Sequence, residues 1–290
     1  MKKVRIAVCL IFVISCLVFG LYYFQVEMAR DRVPPVISCT EDTIYASVNA
    51  SEEELLAGIT AMDDRDGDIT DSVRISSMSH FAEEGKRTIR YIVFDAANQA
   101  GTLERTLIYT DYAPPRIYLS EPLRYYRQEV YTADLLENMT ATDCLDGDLT
   151  RQIRMSPGDD YYNGDAQSFL LNVQVNNSAG DVCALVMNVK IVDQKDAQEQ
   201  SRYYPMLSEY IVYTKVGQRI DPRNYLLGLE NQGTAYFFSG SGGMLGVDGS
   251  AVMVQGSVNY SNPGVYPVYF SFTTEAGVTA TTTMYVVVEE

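Results

Sequence analysis

The chain has 290 residues, of which 47% are hydrophobic, and it carries a formal net charge of −16 at pH 7. That length is enough for two or three domains, and that apolar content is enough for each domain to bury a core. Nucleic-acid binding needs clustered Lys and Arg side chains against the phosphates, so the excess of acidic residues excludes this class of partner.

The first element is an apolar segment at residues 6–24, IAVCLIFVISCLVFGLYYF. At about 1.5 Å per residue, a helix of this length covers most of a hydrocarbon layer about 30 Å thick. Lys2, Lys3 and Arg5 precede the segment. The positive-inside rule then places residues 1–5 in the cytoplasm and everything after the segment outside. The sequence therefore predicts a single-pass cell-membrane protein with an extracytoplasmic C-terminal part.

Two other interpretations of this segment stay open. A cleaved signal peptide needs a shorter apolar core and small residues at the cleavage site, and the chain offers no good A-x-A site. A lipoprotein signal is the second alternative, because VISC at 13–16 resembles a lipobox ending at Cys16. The residues after that cysteine, LVFGLYYF, are apolar, whereas lipoproteins usually continue with polar residues.

Three cysteines, Cys39, Cys144 and Cys183, follow the apolar segment. The chain contains no C-x-x-C, so neither a zinc site nor a thioredoxin motif is indicated. A bridge between Cys144 and Cys183 is conceivable in an oxidising compartment. Separate small buried thiols are the other interpretation.

After residue 33 the chain has the pattern of β-strands. Short runs rich in Val, Ile, Thr, Tyr and Phe alternate with clusters of Gly, Asn, Asp and Pro. In RTIRYIVF, alternation predicts that Ile89, Tyr91 and Val93 share one face of a strand. The best helical candidate is short, SEEELLAGI at 51–59.

The same unit occurs three times. Residues 85–110, 164–192 and 264–288 each contain a strand, a turn ending in Ala-Gly and a second strand, the pattern of a β-hairpin. The first two units also open alike, with VPPVISC at 33–39 and APPRIYL at 113–119. We therefore predict three domains at 34–112, 113–193 and 203–290, with a linker at 194–202.

An Asp-rich motif occurs in the first two units, DDRDGDITDSV at 63–73 and DCLDGDLT at 143–150. Asp side chains accept hydrogen bonds from backbone N–H groups two residues on, and Gly67 and Gly147 supply positive φ. This turn interpretation is preferred. Calcium is the alternative, although the EF-hand spacing is not met. The calcium candidates are Asp63, Asp66, Asp68, Asp143, Asp146 and Asp148.

With the hairpins, these motifs resemble the bacterial immunoglobulin-like (Ig-like) domains of surface proteins, and related modules in insecticidal crystal toxins and hyalin-type repeats. The resemblance covers about residues 34–290. The third unit departs from the pattern, with SGSGGMLGVDG at 239–249 in place of the Asp-rich turn. The resemblance implies an all-β protein of tandem Ig-like β-sandwiches behind one transmembrane helix, used as a spacer or adhesive part.

No enzyme is expected. His80 is the only histidine, so no Ser-His-Asp or Cys-His set recurs in the units. We expect a non-enzymatic surface scaffold or adhesin that needs no cofactor. The alternative is a ligand-binding ectodomain, calcium-dependent or specific for cell-wall glycan, that acts with a membrane partner. Glycan stacking would use the tyrosine pairs at 125–126, 161–162 and 203–204.

The joints between the units also carry an expectation. Pro114 and Pro115 stiffen the joint between the first two units. The polar stretch DQKDAQEQSR at 193–202 predicts a flexible linker or a short solvated helix, and hence a mobile third domain. Because the loop at 239–249 replaces the Asp-rich turn, we expect that loop to carry any binding.

Overall fold

The structure is a computed structural model that describes residues 2–29, 31–162, 166–238 and 246–290. It divides into two compact units, Met1–Tyr112 and Ala113–Glu290. The first unit contains the N-terminal helix and one pair of β-sheets, and the second contains two pairs of β-sheets. The all-β prediction with one N-terminal apolar helix is therefore confirmed.

Helix α1 (Lys2–Ala29) has 28 residues and is about 42 Å long at about 1.5 Å per residue. Within it, Val8–Gln25 is long and apolar enough to cross a membrane, and no part of that segment is buried in the protein. An apolar helix that buries no face against its own chain needs a lipid or protein environment to cover it.

The first sandwich consists of two β-sheets and a one-turn helix. Its elements are β1 (Val36–Cys39), β2 (Thr43–Ala46), α2 (Glu52–Leu55), β3 (Ile59–Asp63), β4 (Gly67–Asp68), β5 (Arg74–Met78), β6 (Lys86–Phe94) and β7 (Ala100–Tyr109). One sheet has the order β1-β3-β4 and the other β2-β7-β6-β5. All neighbouring strands are antiparallel except β2 and β7, which are parallel.

The core of the first sandwich lies between its two sheets. Ile89, Tyr91 and Val93 are fully buried while Arg90 between them is exposed, which confirms the predicted alternation of β6. The Tyr91 hydroxyl donates a hydrogen bond of 2.7 Å to the carbonyl of Leu55, and this bond fastens α2 to the core.

Helix α2 is shorter than the predicted segment 51–59. A capping box between Ser51 and Glu54 starts it, with each side chain accepting from the other residue's backbone N–H. Gly58 then takes a φ of 74°, and β3 begins at Ile59. The helix ends early because the apolar residues after it belong to the sheet.

The second sandwich repeats this arrangement. Its strands are β8 (Arg116–Leu119), β9 (Arg124–Tyr126), β10 (Met139–Asp143), β11 (Gly147–Asp148), β12 (Arg154–Pro157), β13 (Ser168–Asn176) and β14 (Val182–Val192). The sheets have the orders β11-β10-β8 and β12-β13-β14-β9, with β9 parallel to β14. Each strand therefore has a counterpart seven strands earlier.

The third sandwich has the same topology. Its strands are β15 (Tyr204–Leu207), β16 (Ile211–Lys215), β17 (Leu226–Asn231), β18 (Thr234–Phe237), β19 (Met253–Gln255), β20 (Gly264–Thr273) and β21 (Thr279–Glu289). The sheets are β15-β17-β18 and β16-β21-β20-β19, with β16 parallel to β21. The repeat therefore persists in a unit that lacks the Asp-rich turn. Short 3₁₀-helices lie at Thr70–Ser72, Thr150–Gln152, Asp159–Tyr162, Glu199–Ser201, Pro222–Tyr225 and Gly249–Ala251.

The second and third sandwiches share one apolar core. The Tyr213 hydroxyl donates to the carbonyl of Ile117 at 2.8 Å and accepts from its N–H at 2.9 Å. Arg116 binds both carboxylate oxygens of Glu289, at 3.0 and 2.5 Å. These contacts explain why residues 113–290 form a single compact unit.

The sequence predicts a flexible linker or a short solvated helix at 193–202. The structure has a 3₁₀-helix at Glu199–Ser201 in this stretch, and residues 113–290 form one compact unit. In the linker at 194–202, Arg202 bonds the carboxylates of Asp196 at 2.7 Å and Glu199 at 2.5 Å. These three charged residues pair with one another, whereas Asp193 and Lys195 are exposed, and β15 follows at Tyr204. Each predicted domain range contains its own pair of sheets, although contacts join the second range to the third.

Candidate functional site

The first Asp-rich turn is held by backbone N–H groups. The Asp63 Oδ2 atom accepts from the N–H of Arg65 at 2.8 Å and of Asp66 at 2.9 Å. The Asp66 Oδ2 atom accepts from the N–H of Ala96 at 2.6 Å, which ties the turn to the β6–β7 hairpin. The N–H groups of Asp66 and Arg65 stabilise the carboxylate and lower the pKa of Asp63 below its ordinary value.

The second turn has the same pattern. The Asp143 Oδ1 atom accepts from the N–H of Leu145 at 2.8 Å and of Asp146 at 3.0 Å. Asp146 accepts from both the hydroxyl and the N–H of Ser178, at 2.7 and 2.5 Å. In both copies the turn after the third strand is thus locked to the following hairpin.

The last aspartate of each motif also accepts from the backbone. The Asp68 Oδ1 atom accepts from the N–H of Thr70 at 3.0 Å, and Asp148 accepts likewise from Thr150 at 2.9 Å. The threonine hydroxyl, followed by its N–H, lowers the pKa of each carboxyl. The Thr70 hydroxyl oxygen in turn accepts from the N–H of Ala61 at 3.0 Å.

The glycines of the motif have the predicted backbone conformation. Gly67 has a φ of 73° and Gly147 a φ of 72°, both in the left-handed region. A Cβ at either position would meet no atom within 4 Å, so backbone conformation and not space requires glycine there. The hydrogen bonds and the glycines together support the preferred turn interpretation.

The six calcium candidates do not converge on one point. Within the part of the chain that the structure describes, the only three acidic, cysteine or histidine groups close enough to hold one ion are Asp31, Asp63 and Asp95. Asp63 is the only one of the six candidates in that group. Asp66, Asp68, Asp143, Asp146 and Asp148 lie outside it, so calcium at those five has no support from the geometry.

Asp31, Asp63 and Asp95 form what we call the Asp triad, and one carboxylate oxygen from each lies within 4.8 Å of the others. Asp63 and Asp95 are each 7% exposed. The Asp63 Oδ1 atom is inaccessible to solvent and accepts no hydrogen bond. The Arg65 Nε atom lies 3.8 Å from the Asp31 carboxylate.

The second copy differs at one position. Asp95 and Asn177 occupy the same place in the hairpin, since the N–H of each donates to the carbonyl four residues on, at 3.1 and 3.0 Å. The Asn177 amide donates to the Asp143 Oδ2 atom at 3.1 Å, and both residues are buried. Asp143 therefore has a partner on each oxygen, whereas Asp63 has a partner on only one.

A cleft of about 590 Å³ opens in the second unit. The Arg124 guanidinium lies 3.6 Å from the centre of the Tyr204 ring and pairs with Glu230, and all three residues line the cleft. The Tyr204 hydroxyl donates to Glu199 at 2.9 Å, and burial raises the pKa of that tyrosine. A planar guanidinium over an aromatic ring beside two carboxylates could recognise a polar ligand such as a sugar.

The tyrosine pairs take part mostly in packing. The Tyr203 ring contacts Tyr236 and Phe272 with centroids 5.8 and 6.4 Å apart, and Tyr161 packs on Phe169 at 5.0 Å. The side chain of Tyr162 lies outside the described residues. Tyr125, Tyr126 and Tyr204 line the cleft.

The cysteines are free thiols. The Cys144 Sγ atom donates to the carbonyl of Ala113 at 3.0 Å, and burial raises the pKa of Cys183. Both side chains thus pack separately, as the second interpretation of the sequence expects.

Most of the loop that we expect to bind, 239–245 of 239–249, lies outside the described residues. At its end, Asp248 accepts from the N–H of Ser250 at 2.8 Å and caps the 3₁₀-helix Gly249–Ala251.

Sequence reasoning missed Asp31 and Asp95. Asp31 precedes the first repeat. Asp95 lies in a hairpin loop, and the comparison of the repeats uses only the Ala-Gly turn of that loop. The available signal was the Asp-for-Asn difference between the hairpins of the first two units.

No family model and no curated protein matches the chain. Among solved structures, Drosophila N-cadherin EC1-4 is similar over 90% of this chain and 76% of that one, at 12% identity and a TM-score of 0.24. Human CDH23 EC21-23 is similar over 88% of this chain and all of that one (100%), at 12% identity and a TM-score of 0.23.

A Clostridium perfringens structure is similar over a shorter stretch. This structure of CBM51-2 in complex with GlcNAc and INT domains of ZmpB is 24% identical over 30% of this chain and 22% of that one, with a TM-score of 0.21. TM-scores this low carry no argument about ligands or partners. The β-sandwich assignment rests on the sheet orders given above.

Proposed function

We propose that the protein is a non-enzymatic, membrane-anchored scaffold or adhesin of a bacterial cell surface. One observation carries the proposal. An apolar helix precedes three repeated sandwiches. The side chains from Val8 to Gln25 of this helix are all exposed. Residues 6–24 then hold the chain in the membrane, and the sandwiches lie on the extracytoplasmic side.

The chemistry of the Asp-rich turns supports a role without catalysis. A general acid needs a raised carboxyl pKa, whereas the pKa values of Asp63, Asp68 and Asp148 are lowered by hydrogen bonds. Backbone N–H groups of the same turn donate to one oxygen of each, namely Asp63 Oδ2, Asp68 Oδ1 and Asp148 Oδ1. His80 is exposed.

The shared core of the second unit supports a spacer role. A surface scaffold has to hold its outer part in a fixed position, and residues 113–290 form one body instead of two hinged ones. The ion pair of Arg116 with Glu289 and the bonds of Tyr213 to Ile117 resist separation of the two sandwiches.

Ligand binding in the cleft is the second candidate function. The stacking of Arg124 on Tyr204 beside Glu230 favours a polar ligand such as a wall glycan. Because Arg124 already pairs with Glu230, such a ligand would replace that ion pair or add to it.

Topology is the first test. Protease added to intact cells should remove an epitope placed after Glu290, and mass spectrometry should find the segment 6–24 still attached to the protein. Changing Lys2, Lys3 and Arg5 together to Glu should invert or mix the orientation, because the positive flank is lost. A protected epitope in the unaltered protein would refute the proposal. A mature N-terminus at Cys16 would replace the helix anchor with a lipid anchor.

Adhesion is the second test. Soluble chains of residues 31–290 and 113–290 are compared for binding to whole cells, wall glycan and host matrix proteins. A cut between residues 193 and 203 would expose the shared core, so the second unit is kept whole. Binding by either chain identifies an adhesin, and its loss in Arg124→Ala places the ligand in the cleft. No binding by either chain favours the scaffold.

A further inference from the structure

The Asp triad brings together three segments that are far apart in the sequence. Asp31 lies two residues beyond the end of α1 at Ala29, Asp63 ends β3, and Asp95 follows β6. The Asp31 side chain is 9% exposed, and the other two residues are 7% exposed. Three carboxylates are therefore withdrawn from water at one point of the first unit.

The hydrogen bonds at the Asp triad leave one carboxylate oxygen without a donor. The N–H of Val33 donates to Asp31, and Gln99 donates to Asp95 through its N–H and its side-chain amide, at 2.7 and 3.1 Å. The buried Asp63 Oδ1 atom accepts no hydrogen bond. A buried carboxylate oxygen without a partner is strongly disfavoured.

The negative charges of the Asp triad also favour a bound cation. Three negative charges lie within 4.8 Å of one another, and the half-exposed Arg65 side chain supplies one positive charge at 3.8 Å from Asp31. Like charges this close and this poorly solvated repel one another. A divalent cation bound among the three carboxylates would relieve this repulsion.

In the second sandwich, a side chain of the protein itself donates to the equivalent carboxylate oxygen. Asn177 takes the place of Asp95 and donates to Asp143 at 3.1 Å. That amide removes one charge and supplies the missing donor. The first sandwich keeps the carboxylate and adds a third acid, Asp31.

We propose that Asp31, Asp63 and Asp95 bind one Ca²⁺ ion. Oxygens that share a Ca²⁺ at 2.3–2.6 Å lie no more than about 5.2 Å apart, a limit that the 4.8 Å spacing meets. Ca²⁺ accepts irregular sets of six to eight oxygens, whereas Mg²⁺ requires near-octahedral geometry. Three carboxylates held by unrelated segments suit Ca²⁺, with water or carbonyl oxygens completing its shell.

The ion has a mechanical consequence. Asp31 belongs to the segment between α1 and β1, whereas Asp63 and Asp95 belong to the sandwich. Bound Ca²⁺ therefore fastens this connecting segment to the sandwich and stiffens the joint next to α1. This inference holds whatever the second and third sandwiches bind, and it does not depend on the topology of the chain.

The test uses the full chain purified in detergent and freed of metal by chelation. Isothermal titration with CaCl₂ should show one site per chain, and Asp95→Asn should weaken that site at least tenfold. Asp95→Asn is expected to fold, because Asn177 fills the equivalent place. Asp64→Asn is the matched control, since it removes an exposed charge next to Asp63 and should leave affinity unchanged. MgCl₂ should bind at least tenfold more weakly than CaCl₂.

Two further readouts locate the ion. Ca²⁺ should slow tryptic cleavage after Arg32 at least tenfold in the unaltered chain but not in Asp95→Asn. Without calcium, Asp95→Asn should unfold at a higher temperature than the unaltered chain, because repulsion is relieved. Absence of calcium binding, equal binding by Asp95→Asn, equal binding of Mg²⁺, or unchanged cleavage after Arg32 would each overturn the proposal. A failed topology test would leave all of these results untouched.

Discussion

Tyr213→Phe should destabilise the whole second unit. The N–H and carbonyl of Ala141, opposite Ile117 across the sheet, bond Thr150 and Leu149. The polar groups of Ile117 therefore point away from β10, toward Tyr213, whose hydroxyl bonds both at 2.9 and 2.8 Å. Removing the hydroxyl deletes two hydrogen bonds and leaves a buried N–H and carbonyl without partners.

The expected loss is about 2–3 kcal/mol, from about 1 kcal/mol per hydrogen bond plus the cost of unpaired buried groups. At about 2 kcal/mol per M urea, this loss lowers the unfolding midpoint by about 1–1.5 M. The assay is urea unfolding of soluble residues 31–290, followed by circular dichroism and tyrosine fluorescence, because the chain has no Trp.

The matched control is Tyr269→Phe, because the Tyr269 side chain is 43% exposed, and this change should alter stability by less than about 0.5 kcal/mol. The reasoning also requires the second and third sandwiches to unfold together. Separate transitions for these two sandwiches, or an unchanged midpoint for Tyr213→Phe, would refute it.

The remaining predictions concern the Asp-rich turns. Asp146→Ala removes both bonds to Ser178 and should lower the free energy of unfolding by about 1–3 kcal/mol with or without calcium, whereas the exposed Asp160→Ala should change little. A calcium-dependent loss would indicate a second metal site. Asp68 and Asp148 have folded-state pKa values below 3.8, so they stabilise the fold above that pH and lose the effect as pH falls through the lowered values. Urea midpoints should therefore be level from about pH 5 to 7 and fall below about pH 4. A midpoint that rises on acidification would contradict this sign.

Local patterns explain how much of the fold was predictable. The alternation of Ile89, Tyr91 and Val93 needs only a buried face and an exposed one, and that information is present in nine residues of β6. The Asp-rich turns were equally readable, because Asp63 bonds residues two and three positions on. The third sandwich is recognisable from its hairpin, because it lacks the Asp-rich turn.

Specific side-chain pairings were not predictable from composition, even within a short segment. The pairing of Arg202 with Asp196 and Glu199 cannot be distinguished by composition from a solvated linker. The Asp triad was not predictable either, because Asp31 and Asp95 come close to each other only in the folded sandwich. A repeat alignment emphasises what the copies share, whereas the triad depends on the position where they differ.

The bond between Arg116 and Glu289 joins residues that are 173 positions apart. Proteins are synthesised from the N-terminal end at about 5–20 residues per second, so the gap corresponds to about 10–35 s. The first sandwich is complete once Tyr109 has emerged, but the outer edge of β8 waits through this interval without its final partners. During synthesis, this edge of the second sandwich is therefore accessible to proteases and chaperones until Glu289 has emerged.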